Sequence, residues 1–167
     1  RLFPLFKKYN AKLYGQDWTF FDRVLGWIQR GGQYFNIPLL KSIRKPKLKL
    51  EDEADIYKCS KICINLHEAN QVLCGGDCNE RTFKIPAFGG FQIVDDVECV
   101  RKYFKEGEEI IIAKDKDDWF NKIEYYMNHP EEREKIIKAG HERVLRDHTY
   151  HNRAQQIINI YENIKSN

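Results

Sequence analysis

The sequence predicts an α/β fold, a parallel sheet flanked by helices, and three stretches carry that reading. Lys61-Ile62-Cys63-Ile64-Asn65-Leu66 is a near-continuous apolar run, the pattern of a strand buried on both faces. Residues 79–95 run from a polar turn into a short helix, a glycine pair at Gly89 and Gly90, and a hydrophobic strand Phe91–Val94 that stops on Asp95 and Asp96. That order is half of a βαβ unit. Glu109 to Ala113, rich in isoleucine, supplies another strand after a further helical stretch. Strands alternating with helices imply parallel pairing, because each crossover returns the chain to the same end of the sheet.

The remaining elements follow in order. Lys12-Leu13-Tyr14 before Gly15 reads as a short strand, and Phe20 to Ile28 as a weak helix. Gly31-Gly32, Pro38 and Pro46 predict irregular backbone over residues 29–50. Glu51 to Ser60 reads as a helix with acidic residues in its first turn, where the dipole favours them. Residues 69–78, with Gly75-Gly76, read as a loop. Val97 to Phe104 is a helix, and so is Asp117 to Asn128, with Trp119, Phe120, Ile123, Tyr126 and Met127 near helical spacing. Pro130 suits the first position of the next helix, which carries Ile136, Ile137, Val144 and Leu145. Thr149 caps a last helix through Tyr161.

The chain's 167 residues are enough for one domain with a proper core. A hydrophobic share of 42% with 13% aromatics argues against disorder. A formal net charge of +3 is too small to imply a nucleic-acid partner. The basic residues of Lys41 to Lys49 meet an acidic run at once, Glu51, Asp52, Glu53 and Asp55, and the pair reads as a solvated linker. No apolar run approaches the roughly 20 residues of a membrane helix, and no signal-peptide pattern opens the chain. The chain starts at Arg1 with an apolar run inside a folded unit, so one domain of a longer protein is expected.

Five cysteines, an odd number, are expected as free thiols in a reducing, cytoplasmic setting. A zinc reading of Cys59-x-x-x-Cys63 and Cys74-x-x-x-Cys78 with His67 fails on placement, since Cys63 lies in the apolar strand and a buried thiol acts as a small hydrophobe. No metal is expected.

The chemistry concentrates in the turn at Asn79 to Arg81. A helix start offers unpaired N–H groups and the positive end of the dipole, and Arg81 adds a fork of donors for the same anion. The competing reading is an αβ corner whose arginine bridges surface carboxylates. His67 suits a polar contact to a ligand or a general base, with a surface histidine at the strand exit as the preferred reading. Asn65 is expected to be satisfied by a neighbouring loop, and Gly89-Gly90 is a helix C-cap or a close approach to ligand. His148 and Tyr150 look like packing positions.

Five segments in order carry a resemblance: Lys61-Ile62-x-Ile64-Asn65, Asn79-Glu80-Arg81-Thr82-Phe83-Lys84-Ile85, Gly89-Gly90-Phe91, Phe104-x-x-Gly107-Glu108-Glu109-Ile110, and Arg143-Val144-x-x-x-His148-Thr149-Tyr150-x-x-Arg153. Together they resemble the C-terminal part of CgeB-like spore-maturation glycosyltransferases, a group similar to the GT-B nucleotide-sugar glycosyltransferases, over about residues 50–161. The resemblance implies a Rossmann-like C-terminal half of a GT-B fold in residues 50–167, with residues 1–49 as the loosely matched start of the same domain.

It also implies a nucleotide diphosphate sugar as donor, with no further cofactor. The acceptor, a carbohydrate or protein hydroxyl, is then held by an N-terminal domain of the parent protein, toward which Tyr150 to Ile164 crosses back. On that basis Arg81, Lys84, Gly89 and Gly90 are expected at the diphosphate, Asn65, Asn79 and Glu80 at the nucleotide or sugar, and His67 and Glu80 as candidates for catalysis. Retaining GT-B enzymes often carry two glutamates with seven residues between them. Here Gly76 and Lys84 fall at those positions. Lysine cannot accept hydrogen bonds from ribose hydroxyls, so Lys84 meets a phosphate instead and Glu80 or Asp77 takes the carboxylate role. The alternative is a non-catalytic nucleotide-sugar-binding or surface-assembly module.

Overall fold

A computed structural model describes residues 4, 8–12, 14, 20–41, 48–74 and 76–166. The chain divides into two compact units, residues 1–53 and 54–167. In the first, helix α1 spans Phe20–Tyr34 and α2 spans Pro38–Lys41. The irregular backbone expected from residue 29 is therefore corrected: α1 runs on through Gly31 and Gly32. A Cβ on Gly32 would stand 2.4 Å from the Leu40 Cβ, so this glycine lets two helices touch rather than breaking one. Asn36, at φ 58°, makes the turn between them. The strand expected at Lys12–Tyr14 includes Leu13, outside the described residues, and Lys12 and Tyr14 themselves belong to no strand.

Helix α3, Leu50–Cys59, starts on Glu51, Asp52 and Glu53, as its dipole favours. It leads to the sheet of the second unit, built from β1 (Cys63–Asn65), β2 (Gln92–Asp95) and β3 (Ile111–Ala113) in that spatial order. Both pairings are parallel, with Ile64 opposite Ile93 and Ile93 opposite Ile111. The crossovers are α4 (Ala69–Cys74) with α5 (Arg81–Ala87), then α6 (Val100–Tyr103). Helices α7 (Lys116–Asn128), α8 (Pro130–Asp147) and α9 (Tyr150–Ser166) complete the chain. The loop expected over residues 69–78 is corrected in part, since Ala69–Cys74 is helical. The helix there is short and has no buried residue, so it leaves no apolar stripe to read.

The core is aliphatic and lies around β2. Ile93 and Val94 are fully buried, as are Ile112 on β3 and Val97 and Val100 beyond β2. Val94, Ile110 and Ile112 form one cluster with Val97, Val100, Phe104 and Val144, joined by Phe83 and Ala87 of α5. This cluster seats α5 and α8 on the sheet. Gly140 sets how closely α8 approaches: a Cβ there would stand 2.5 Å from the Glu109 carbonyl oxygen. Alanine is the better helix former by about 1 kcal/mol. Gly140→Ala is nonetheless expected to destabilise, by about 1–3 kcal/mol, because the opposing atom is backbone and cannot swing aside. Urea unfolding measures this, and a variant as stable as wild type would refute the contact.

At the α8–α9 junction Thr149 caps as expected: its Oγ1 accepts from the Asn152 amide at 3.2 Å, while the Asn152 Oδ1 accepts from the Thr149 amide at 3.0 Å. His148 packs among Phe83, Tyr103 and Phe104, but Tyr150, also expected to pack, is exposed. The His148 Nε2–H donates to the Tyr103 carbonyl at 3.1 Å, and Arg153 donates to its Nδ1 at 2.9 Å. Burial pushes the His148 pKa below 6.5; the Tyr103 carbonyl opposes this, Arg153 and Arg143 reinforce it, and Asp147 opposes it. The folded state thus favours neutral His148, and the unfolded chain takes up the proton first as pH falls. His148 therefore contributes stability above about pH 6.5 that is lost as pH drops through the lowered folded value. Melting curves from pH 7.5 to 5 are expected to fall less steeply for His148→Phe than for wild type; identical slopes would refute this.

The cysteines correct the expectation of five free thiols. Cys78 and Cys99 form a disulfide with Cα atoms 6.2 Å apart, while Cys59, Cys63 and Cys74 are free. An odd count says nothing about which loops meet in space, and here the turn before α5 meets the loop after β2. Burial pushes the Cys63 thiol up to about 12, against a lowering contact from Ser60. Among the described residues no group of histidines, cysteines and carboxylates could hold a metal ion, and no helix is long and apolar enough to cross a membrane.

Candidate functional site

The C-terminal ends of β1 and β2 lie side by side, because Asn65 is in register with Val94. In open parallel sheets ligands bind outside this end of the strands. Five polar side chains meet at that end. Asn65, fully buried on β1, donates from Nδ2 to the Asn79 Oδ1 at 3.0 Å and to the Thr82 Oγ1 at 3.2 Å. Asn79 returns a bond from its own Nδ2 to the Asn65 Oδ1 at 2.9 Å and reaches the Leu66 carbonyl at 3.3 Å. The Asn79 Oδ1 also accepts from the Thr82 backbone N–H at 3.1 Å. Asn79 is thus the side-chain cap of α5, satisfying an orphan donor of its first turn.

His67 completes the network. Its backbone N–H donates to the Asp95 Oδ2 at 2.9 Å, and its Nδ1 lies 2.6 Å from the Asp95 Oδ1. Its Nε2 lies 3.4 Å from the Thr82 Oγ1. Hydrogen-bond accounting assigns the protons. The Thr82 hydroxyl reaches both the Asn79 Oδ1, at 3.2 Å, and the His67 Nε2, and an Nε2 that accepts from it leaves the ring proton on Nδ1. Nδ1–H then donates to Asp95. The surface histidine preferred from sequence is corrected: the His67 side chain has no exposed area. It fastens the exit of β1 to the end of β2 and does not face solvent.

What faces solvent is the outer layer of the same turn. Arg81, exposed in the first turn of α5, donates from one guanidinium nitrogen to the Leu66 carbonyl at 3.1 Å. That contact aims the guanidinium across the exit of β1. Glu80 is 75% exposed, and its carboxylate lies 3.4 Å from the Lys84 Nζ one turn on. Asn65, His67, Asn79, Arg81 and, through the ion pair with Glu80, Lys84 are therefore gathered at one end of the sheet.

Gly89 and Gly90 are not. They follow α5 at the entrance to β2, while Arg81 opens the helix, and a seven-residue helix spans about 10 Å. Gly89 holds φ 73° to close the helix. A Cβ on Gly90 would stand 2.9 Å from the Ile85 Cγ2 and 3.0 Å from the Tyr57 carbonyl. Both glycines thus answer backbone and packing needs at the floor of the sheet.

Two members of the network escaped the sequence reading, Thr82 and the pairing role of Asp95. Thr82 was legible in part, since Asn79-x-x-Thr82 is the spacing of a cap and the N–H it serves. The His67–Asp95 contact joins residues 28 apart and leaves no local signal.

The exit of β3 differs in character. Glu106, Lys114, Asp115, Asp118 and Lys122 line an open polar cleft there. There the Lys122 Nζ lies 2.7 Å from Asp118 and donates to the Ile112 carbonyl, while the Lys114 backbone N–H donates to Asp118 at 2.9 Å.

The parallel sheet flanked by helices is that of a Rossmann-like α/β domain. Residues 2–159 match the family described as "Glycosyl transferase-like", and the chain belongs to that family. No curated protein and no solved structure matches the chain.

Proposed function

We propose that this domain binds a nucleotide diphosphate sugar at the ends of β1 and β2 and serves as the donor half of a GT-B-type glycosyltransferase of the CgeB-like group. The observation that supports it is the exposed Arg81, held over the exit of β1 by the Leu66 carbonyl on a turn whose base is fully hydrogen-bonded. Preorganised donors of this kind gain most where charge develops. In transfer, an acceptor hydroxyl oxygen bonds to the anomeric carbon as the bond from that carbon to the phosphate oxygen breaks. The leaving diphosphate keeps the electron pair, and Arg81 and Lys84 meet its charge. In this reading these two cations take the place of a metal.

The Glu80 carboxylate is the exposed acceptor at the rim, suited to a sugar or ribose hydroxyl or to the acceptor's proton. Asn65, Asn79 and His67 hold the frame beneath it. The acceptor is a carbohydrate or protein hydroxyl positioned by a further domain, and the setting is cytoplasmic. Thermal shift against nucleotides and nucleotide sugars tests this. A ligand at 100 times its Kd adds about 2.7 kcal/mol to the folded state, so a clear rise in Tm with nucleoside diphosphates is expected and no shift would refute the reading. The substitution of glycine and lysine at the two glutamate positions favours a second reading, a module that binds the donor without transferring it. Binding with no sugar transfer, even beside an acceptor domain, would select it.

A further inference from the structure

The turn that carries Arg81 is held by more than hydrogen bonds. Cys78 immediately precedes Asn79, and its disulfide partner Cys99 opens α6, in the loop that begins at Asp95. Cys99 is fully buried in the cluster of Val94, Val97, Val100 and Phe104, and the half-buried Cys78 packs against that cluster from the rim side. The bond thus staples the Asn79–Arg81 turn to the same β2 exit that holds His67 through Asp95. Both loops of the candidate site are joined covalently, at a point one residue from the cap of α5. Where a disulfide occurs in a reducing compartment it is usually transient and redox-sensing.

We propose that Cys78–Cys99 is a redox switch of the donor site: oxidised, it clamps the Arg81 turn in binding position, and reduced, it releases that turn. This rests on the donor-site reading above. The reductant is a dithiol. Its thiolate attacks the Cys78 Sγ, because the Cys99 sulfur is enclosed by the core, and displaces Cys99 as thiolate, which takes a proton. The second thiol of the reductant then attacks its own sulfur in the mixed disulfide and releases Cys78. Two electrons pass from the dithiol, which leaves as a disulfide, and the protein gains two thiols. Cys63 stands outside the exchange, being buried with its thiol pushed up to about 12. After reduction the Cys99 thiol rests in the core as a small hydrophobe. The turn then keeps its bonds to Asn65, Thr82 and the Leu66 carbonyl but loses its covalent tie to the β2 exit.

The test uses the full chain, oxidised and dithiol-reduced, with UDP and GDP as probes. Three thiols, those of Cys59, Cys63 and Cys74, are expected to titrate in denatured protein never exposed to reductant, and five after reduction. Amide hydrogen exchange across residues 77–84 is expected to quicken on reduction, and the Kd for UDP or GDP to weaken roughly tenfold, within the usual range of coupling between sites. Cys78→Ala, which leaves Cys99 in the core, is expected to match the reduced protein in exchange and affinity and to ignore the dithiol. Five thiols before reduction, or exchange and affinity unmoved by it, would overturn the switch. If neither state binds a nucleotide, the donor reading falls, and the exchange result alone decides whether the staple controls the turn.

Discussion

Arg81→Ala is expected to lower affinity for UDP or GDP by about 1.5–3 kcal/mol, the worth of a hydrogen bond to a charged group, or roughly ten- to a hundredfold in Kd. The size follows from how the side chain is held. One guanidinium nitrogen is fixed on the Leu66 carbonyl at 3.1 Å, so little rotamer freedom remains to be lost when a phosphate docks, and the other donors stay in a fixed fork. The fold is expected to be untouched, because Arg81 is exposed and the cap of α5 rests on Asn79. Arg81→Lys keeps the charge without the fork and is expected to recover only part of the loss. Calorimetric titration of both variants decides it. Unchanged affinity in a folded alanine variant would remove Arg81 from the donor site.

Asn65→Ala is expected to cost about 2–4 kcal/mol of stability, the largest loss from any single polar side chain at the rim. Asn65 is fully buried and makes three side-chain hydrogen bonds, two as donor and one as acceptor. Each buried group left without a partner costs about 1–3 kcal/mol, and the vacated volume adds to the loss. The damage also spreads outward, since Asn79 loses the neighbour that orients it and α5 loses a well-placed cap. The urea midpoint should fall with little change in slope. A loss under about 0.5 kcal/mol, the ordinary scatter of surface substitutions, would show that the network does not hold the rim together.

Fold class was legible because the β1 and β3 stretches are apolar runs of strand length and the helices after Ala113 are long, periodic and well punctuated. Pro130 opens α8 and Thr149 caps α9, where those residue types favour such positions. The failures are of one kind. Gly31-Gly32 reads as a break, yet Gly32 answers to Leu40 across a helix pair, and no local rule registers a neighbour in space. The odd cysteine count pointed to free thiols for the same reason: pairing is a property of loops that meet, not of spacing.

The site was legible as a place more than as a mechanism. The polar turn at Asn79 to Arg81 announced itself by composition. His67 did not show that it lies beneath the rim instead of on it. A histidine that leaves a buried strand has two faces available, and Asp95, a distant residue, selects the inner one.

The seat of α8 carries a consequence for the order in which the molecule is made. Gly140 packs against the Glu109 carbonyl at the entrance to β3, and the His141 Nδ1 lies 3.0 Å from the Pro86 carbonyl at the end of α5. The helix that opens with Arg81 is thus propped by residues more than fifty positions downstream. A chain emerging during synthesis exposes the Asn79–Arg81 turn long before it can supply that support. The hydrogen-bonded rim closes within residues 65–95, but the far end of α5 gains its seat under α8 only after residue 141 has left the ribosome.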